Sequence, residues 1–233
     1  MTPRLRSGRV LRAVLFDAGN TLLFLDYVRM AAGVGTALGV PLSGAELASH
    51  ASEAAQAMER AETDQERATA YLEALFLLGG IPADRLGEVR TCLARMHGER
   101  HLWCSVPEST RTALARLKAA GLLLGVVSNS EGRVEEALEA AGLRDYFDVV
   151  VDSGVVGIEK PDPRIFQAAL QALHVAPEEA LYVGDLYEVD VLGAQSAGIE
   201  AVLVSTCSIE ELAHSLLSGD RPMTTPSRRM EQP

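Results

Sequence analysis

Val10–Leu11–Arg12–Ala13–Val14–Leu15–Phe16–Asp17–Ala18–Gly19–Asn20 reads as a short, mostly apolar strand that runs into a tight turn. A strand this apolar, closed by an acid and a glycine, suits the interior of a sheet covered on both faces. Four further runs of strand length follow at residues 122–127, 149–151, 181–183 and 201–204. Between them lie helix-like stretches at 107–120, 132–141, 164–174 and 189–197, the first two stopped by Gly121 and Gly142. Strand alternating with helix predicts an α/β fold, a Rossmann-like parallel sheet with right-handed crossovers.

Residues 26–104 interrupt the alternation. They hold no convincing strand, are rich in Ala, Glu and Leu, and carry turn signals at Gly39, Pro41, Gly79, Gly80, Pro82 and Gly98. Four helices fit, at about 27–38, 44–62, 65–78 and 84–97. Leu72, Leu75, Phe76 and Leu78 form an apolar stripe expected to face the core of this insert. The expected organisation is a core of residues 10–25 and 105–218, a four-helix insert at 26–104, and flexible tails at 1–9 and 219–233.

Composition narrows the function. The chain has 233 residues, 48% hydrophobic and 23% charged, with a net charge of −11, so wholesale disorder is excluded. The acidic balance repels polyphosphate backbones and argues against a nucleic-acid partner. Cys92, Cys104 and Cys207 form no Cys-x-x-Cys pair and suit a reducing compartment. The N-terminal apolar run is broken by Arg12 and stopped by Asp17, too short for a signal peptide, and no apolar run is long enough to span a membrane. These features predict a cytoplasmic protein with no membrane partner; oligomeric state is not encoded legibly.

In an open parallel sheet, ligands bind beyond the carboxyl ends of the strands. Those ends would deliver Asp17 from the first strand, Ser128 and Asn129 from the second, and Asp185 from the fourth, with Asp190 five residues on; Lys160 follows the third. Converging carboxylates repel one another unless a cation sits among them. An oxygen-rich set favours a hard cation, and Mg2+ fits best. Of 21 basic residues two are lysine, Lys118 and Lys160, so a chain that otherwise uses arginine places a compact ammonium at this turn. No phosphate-binding loop of the Gly-x-x-x-x-Gly-Lys type and no Gly-x-Gly-x-x-Gly occurs. His97 and His101 stand four apart, but Gly98 and the offset of Glu99 argue against a zinc hydrolase.

Four fragments in this order resemble the haloacid dehalogenase (HAD) superfamily of hydrolases, subfamily I with a helical cap: Leu15–Phe16–Asp17–Ala18–Gly19–Asn20–Thr21–Leu22, Val127–Ser128–Asn129, Glu159–Lys160–Pro161–Asp162–Pro163, and Val183–Gly184–Asp185 with Asp190, Gly193 and Ala194. The resemblance covers about residues 10–205. It implies a phosphatase of a small phosphorylated metabolite. Asp17 would be the nucleophile that forms an aspartyl-phosphate. Mg2+ would be held by Asp17, the Gly19 carbonyl, Asp185 and Asp190, one of the acidic pair through water. Ser128, the Asn129 backbone and Lys160 would bind the transferring phosphoryl oxygens.

One position departs from the pattern. Phosphatases of the superfamily carry a second aspartate two residues after the nucleophile, which protonates the leaving group and activates water; here that residue is Gly19. General acid–base help is worth about 10²–10⁴-fold. Asp26, His50, His97 or His101 could replace it, or the substrate could carry a good leaving group, such as an acyl or aryl phosphate. A haloacid dehalogenase-type hydrolase and a catalytically impaired binding protein are the alternatives. Dehalogenases need no metal, which the acidic pair argues for, and phosphonate-cleaving members use a cap lysine that residues 26–104 lack.

Overall fold

The computed structural model describes residues 3–5, 7–60, 63–205 and 207–218; the expected tail at 219–233 lies outside them. The chain divides into two compact units, residues 25–104 and the described residues on either side.

The chain enters its sheet at β1 (Ala13–Phe16), four residues with no exposed surface. The expected strand began at Val10, but residues 10–12 stay outside it. Val10 instead bridges antiparallel to Arg4, and Leu11 N–H donates to the Pro3 carbonyl at 2.9 Å. Leu5 is buried, so residues 3–5 and 7–9, expected as a flexible tail, form a folded turn. A hydrophobic side chain at position 5 with a place to bury supplies the reason.

Past β2 (Phe24–Leu25) the chain enters the second unit. It comprises α1 (Tyr27–Leu38), α2 (Gly44–Ser49), α3 (Ala51–Ala54), a 3₁₀ turn at Ala55–Arg60, α4 (Asp64–Leu78) and α5 (Leu86–Glu99). The single helix expected over 44–62 is therefore broken at His50. Ser49 Oγ donates to the Glu46 carbonyl at 2.6 Å, the kind of local bond that competes with helix continuation. Thr63 and Glu66 form a reciprocal capping box at the start of α4. The apolar stripe serves this unit's core: Leu75 and Phe76 are fully buried, with Leu72 and Leu78 packed beside them. Arg29 of α1 closes the far end of α5, donating to the carbonyls of Met96 at 2.5 Å, Arg100 at 2.7 Å and His101 at 3.0 Å. A cation on orphan carbonyls also opposes the negative end of the helix dipole.

The chain returns through β3 (Trp103–Ser105), which pairs with β2. There follow α6 (Glu108–Ala119), β4 (Leu123–Ser128), α7 (Val134–Ala140), β5 (Val149–Asp152), α8 (Ser153–Val156), α9 (Pro163–Leu173), β6 (Ala180–Gly184), a π-helical turn at Tyr187–Val191, α10 (Leu192–Ser196), β7 (Glu200–Leu203) and α11 (Ile209–Ser218). The strands form one parallel sheet in the order β5-β4-β1-β6-β7, with β1 central. The chain adds β4 and β5 on one side of β1 and β6 and β7 on the other, and this reversal of strand order makes the crevice beyond the carboxyl end of β1 the switch point where ligands bind. Inside β4, Gly125 lets the neighbouring strands pack closely: a Cβ would lie 2.7 Å from Leu15 Cδ2 and 2.8 Å from Val149 Cγ1. Among the described residues no helix is long and apolar enough to cross a membrane, and the three cysteines are free.

Candidate active site

Asp17 follows β1 directly and is 6% exposed. Its position is set by register: Phe16 pairs with Val126 of β4 and Val183 of β6, and the Asp17 amide donates to the Val183 carbonyl at 2.8 Å. Lys160, in the loop between α8 and α9, reaches it from the side. Its Nζ donates to Asp17 Oδ1 at 2.6 Å and to Asp190 Oδ1 at 2.7 Å, with the ammonium buried. The Asn129 side chain holds the Lys160 main chain at both ends, accepting from its N–H at 2.7 Å and donating to its carbonyl at 3.0 Å. Asn129 therefore turns its amide onto the lysine loop.

The acidic pair comes from the end of β6. The π-helical turn folds Asp190 back under the strand end, where its Oδ2 accepts the N–H groups of Asp185 at 3.1 Å and Leu186 at 3.0 Å. Gly184 makes room for this, since a Cβ there would lie 2.4 Å from Asp190 Cγ. Asp185 is half-buried and receives Asn20 Nδ2 at 3.3 Å, Asn20 itself adopting a left-handed φ of 53°. Carboxylate oxygens of Asp17, Asp185 and Asp190 lie within 4.8 Å of one another. Ser128 ends β4, the strand next to β1, and is buried; Gly19 bridges to Leu23 in the loop after Asp17. Tyr182 of β6 has no counterpart in the sequence reading: its hydroxyl lies 3.1 Å from Lys160 Nζ, from Asp190 Oδ1 and from the Val127 carbonyl. The signal available was a tyrosine in an otherwise aliphatic strand, Ala180–Gly184.

The proposed replacements for the second aspartate all belong to the other unit. Asp26 is committed there, capping α1 through Arg29 N at 2.9 Å and pairing with Arg100 at 3.3 Å.

Electrostatics follow from burial. Loss of water raises Asp17 to a pKa of about 6, with the Asp190 charge adding to the rise and Lys160 opposing it. Burial, then the charges of Asp17 and Asp190, push Asp185 well above the usual carboxylate range. Burial opposes the charge of Lys160, yet Asp17, Tyr182 and Asp190 outweigh it and hold the ammonium well above its normal pKa. Three carboxylates facing one ammonium leave a net of two negative charges when ionised. The donor set is all oxygen, so a hard divalent cation suits it in both charge and chemistry.

This frustration has a thermodynamic sign. An acid whose folded pKa is raised binds more protons folded than unfolded, so its ionisation destabilises the fold as pH rises between the two values. For Asp17 the window runs from about 3.8 to about 6, worth roughly 3 kcal/mol at 1.36 kcal/mol per unit. Metal-free Asp17→Asn should therefore be more stable than wild type by about 2–3 kcal/mol at pH 7. The difference should vanish below pH 4. Urea denaturation of both proteins in chelator, at four pH values, checks this; a variant less stable at pH 7 would mean Lys160 more than compensates the cluster.

Comparison with known proteins identifies the family of the chain. The profile of the haloacid dehalogenase-like hydrolases matches residues 11–198. The chain is 42% identical over 139 residues to a phosphoserine phosphatase of Thermus thermophilus, covering 59% of this chain and 54% of that protein. It is 41% identical over 99 residues to a glyceraldehyde 3-phosphate phosphatase of Methanothermobacter thermautotrophicus, covering 42% of this chain and 44% of that one. The chain thus spans about half the length of these curated relatives. The crystal structure of a HAD phosphatase from Thermococcus onnurineus aligns over 91% of this chain and 100% of its own, at 26% identity and a TM-score of 0.55. With the family profile covering four of the sheet's five strands, the insert and every residue of the carboxylate cluster, the chain belongs to the haloacid dehalogenase-like hydrolases.

Proposed function

We propose that the chain is a Mg2+-dependent phosphatase of a small phosphorylated metabolite, working through an aspartyl-phosphate on Asp17. The observation that carries this reading is the buried Asp17 carboxylate held by Lys160 at 2.6 Å beside the oxygens of Asp185 and Asp190. With Oδ1 bonded to Lys160, the second oxygen of Asp17 is left to attack phosphorus, and the leaving group departs with the electron pair of the broken P–O bond. The Ser128 hydroxyl and the Asn129 main-chain N–H, at the end of β4, bind the phosphoryl oxygens, and Lys160 balances their charge. Asp17, the Gly19 carbonyl and Asp185 would hold the metal. Asp190, already accepting from Lys160, Tyr182 and two backbone N–H groups, would contribute through water. When bound, the metal neutralises charge and orients the phosphoryl group.

Gly19 cannot protonate a leaving group, which favours substrates whose leaving group needs little protonation. The phosphoserine and glyceraldehyde 3-phosphate phosphatases among the relatives support a small phosphorylated metabolite as substrate class. The acidic cluster weighs against carbon–halogen hydrolysis, for which no cation is required.

The test is hydrolysis of acetyl phosphate and p-nitrophenyl phosphate with Mg2+ and with chelator. Turnover that requires Mg2+ is expected, faster on acetyl phosphate. No turnover on either, or halide release from a 2-haloacid that persists in chelator, would overturn the reading.

A further inference from the structure

We infer that Tyr182 is a positioning residue of this site: its buried hydroxyl fixes the direction of the Lys160 ammonium and joins it to Asp190. The inference rests on the phosphatase reading for its kinetic consequence but not for its geometry. Lys160 has three ammonium protons and three partners: Asp17 Oδ1 at 2.6 Å, Asp190 Oδ1 at 2.7 Å and the Tyr182 hydroxyl at 3.1 Å. The tyrosine oxygen accepts the third proton, so its own O–H is free to donate to the Val127 carbonyl or to Asp190 Oδ1, both at 3.1 Å. Val127 belongs to β4 and Tyr182 to β6, the two strands flanking β1. The hydroxyl thus braces the ammonium against the sheet, directly below the residue that does the chemistry.

A lysine side chain has four rotatable bonds, so two carboxylates alone leave the ammonium free to turn between them. A neutral third partner fixes its rotation without adding charge to a cluster that already has too much. The ring itself is held independently, in a T-shaped contact with Phe166 at a centroid separation of 5.0 Å, and it is fully buried. Tyr182→Phe therefore removes the hydroxyl and keeps the packing. Partners of this kind, one layer behind the reacting groups, typically carry about 10–100-fold in activity.

The test compares purified wild type, Tyr182→Phe and Phe166→Leu. Tyr182→Phe is expected to lose about 10–100-fold in kcat on acetyl phosphate with KM little changed. Phe166→Leu, which disturbs the packing and spares the hydroxyl, should lower Tm yet keep kcat close to wild type. A second readout needs no turnover. With two lysines in the chain, selective ¹⁵N-lysine labelling gives two ammonium signals. Lys160 should show slow proton exchange in wild type and faster exchange in Tyr182→Phe. An unchanged kcat overturns the inference, as does a kcat loss that Phe166→Leu reproduces or one without faster Lys160 exchange. If wild type turns over neither phosphate, the phosphatase reading fails, and the exchange rates alone decide whether Tyr182 positions the ammonium.

Discussion

Asp17→Asn is expected to lower kcat on acetyl phosphate by about 10³-fold or more while the fold survives. The amide retains an acceptor for Lys160, which now approaches Asp17 Oδ1 at 2.6 Å, but offers no nucleophilic oxygen for phosphorus. Because the change also removes one of three crowded carboxylates, the variant should be at least as stable as wild type without metal at pH 7, which separates lost chemistry from lost structure. Mg2+ affinity should fall with it, since the proposed metal site loses one of its negative charges. Steady-state kinetics paired with urea denaturation measures both. A variant within tenfold of wild type would show that Asp17 is not the nucleophile that forms the phospho-enzyme.

Lys160→Met is the second large effect, and it should strike stability as well as rate. The ammonium is buried with Asp17 and Asp190 within 2.7 Å, and removing one member of a buried charge cluster costs about 3–5 kcal/mol through the uncompensated charge left behind. Part of that cost is relieved when the carboxylates take up protons, so the loss should be largest at pH 7 and smaller near pH 5. Mg2+ should restore some of it at neutral pH by mass action on the folded state. The rate should drop by about 10²–10³-fold, the usual effect of losing one charge-stabilising donor. Lys160→Arg should recover stability better than activity, because a planar fork cannot reproduce three divergent ammonium bonds. Equal stability of Lys160→Met and wild type at pH 7 would contradict this account of the cluster.

The core of the fold was legible because its signals are local. Apolar runs closed by Asp17, Ser128 and Gly184 mark strand ends whatever surrounds them, and glycines 121 and 142 stop helices by their own backbone freedom. The site followed from the same feature: once strands are parallel, residues at their carboxyl ends must meet. What escaped the reading depends on contacts distant in sequence. Tyr182 gains its role from Lys160, 22 residues away, and no periodicity announces that. The inward turn of Asn129 depends on a loop 31 residues on. The break at His50 sits within an unremarkable Ala- and Glu-rich stretch whose helical pattern continues past it. One miss had a local signal: Ser208 and Glu211 form reciprocal side-chain bonds at the start of α11, a spacing visible in the sequence.

Phe24–Leu25 and Trp103–Ser105 pair with each other, so the eighty residues between Leu25 and Cys104 are tied off at their base. In polymer terms they are a single closed loop, and its closure entropy grows only with the logarithm of its length, about 0.6 kcal/mol for each doubling. The insert carries its own apolar interior, built from residues between Leu25 and Leu102. Lengthening, trimming or exchanging it is therefore expected to leave intact the strand register that aligns Asp17, Ser128 and Asp185, which is set by pairing within the sheet. Selection can rework the insert at little thermodynamic penalty to the chemistry it is attached to.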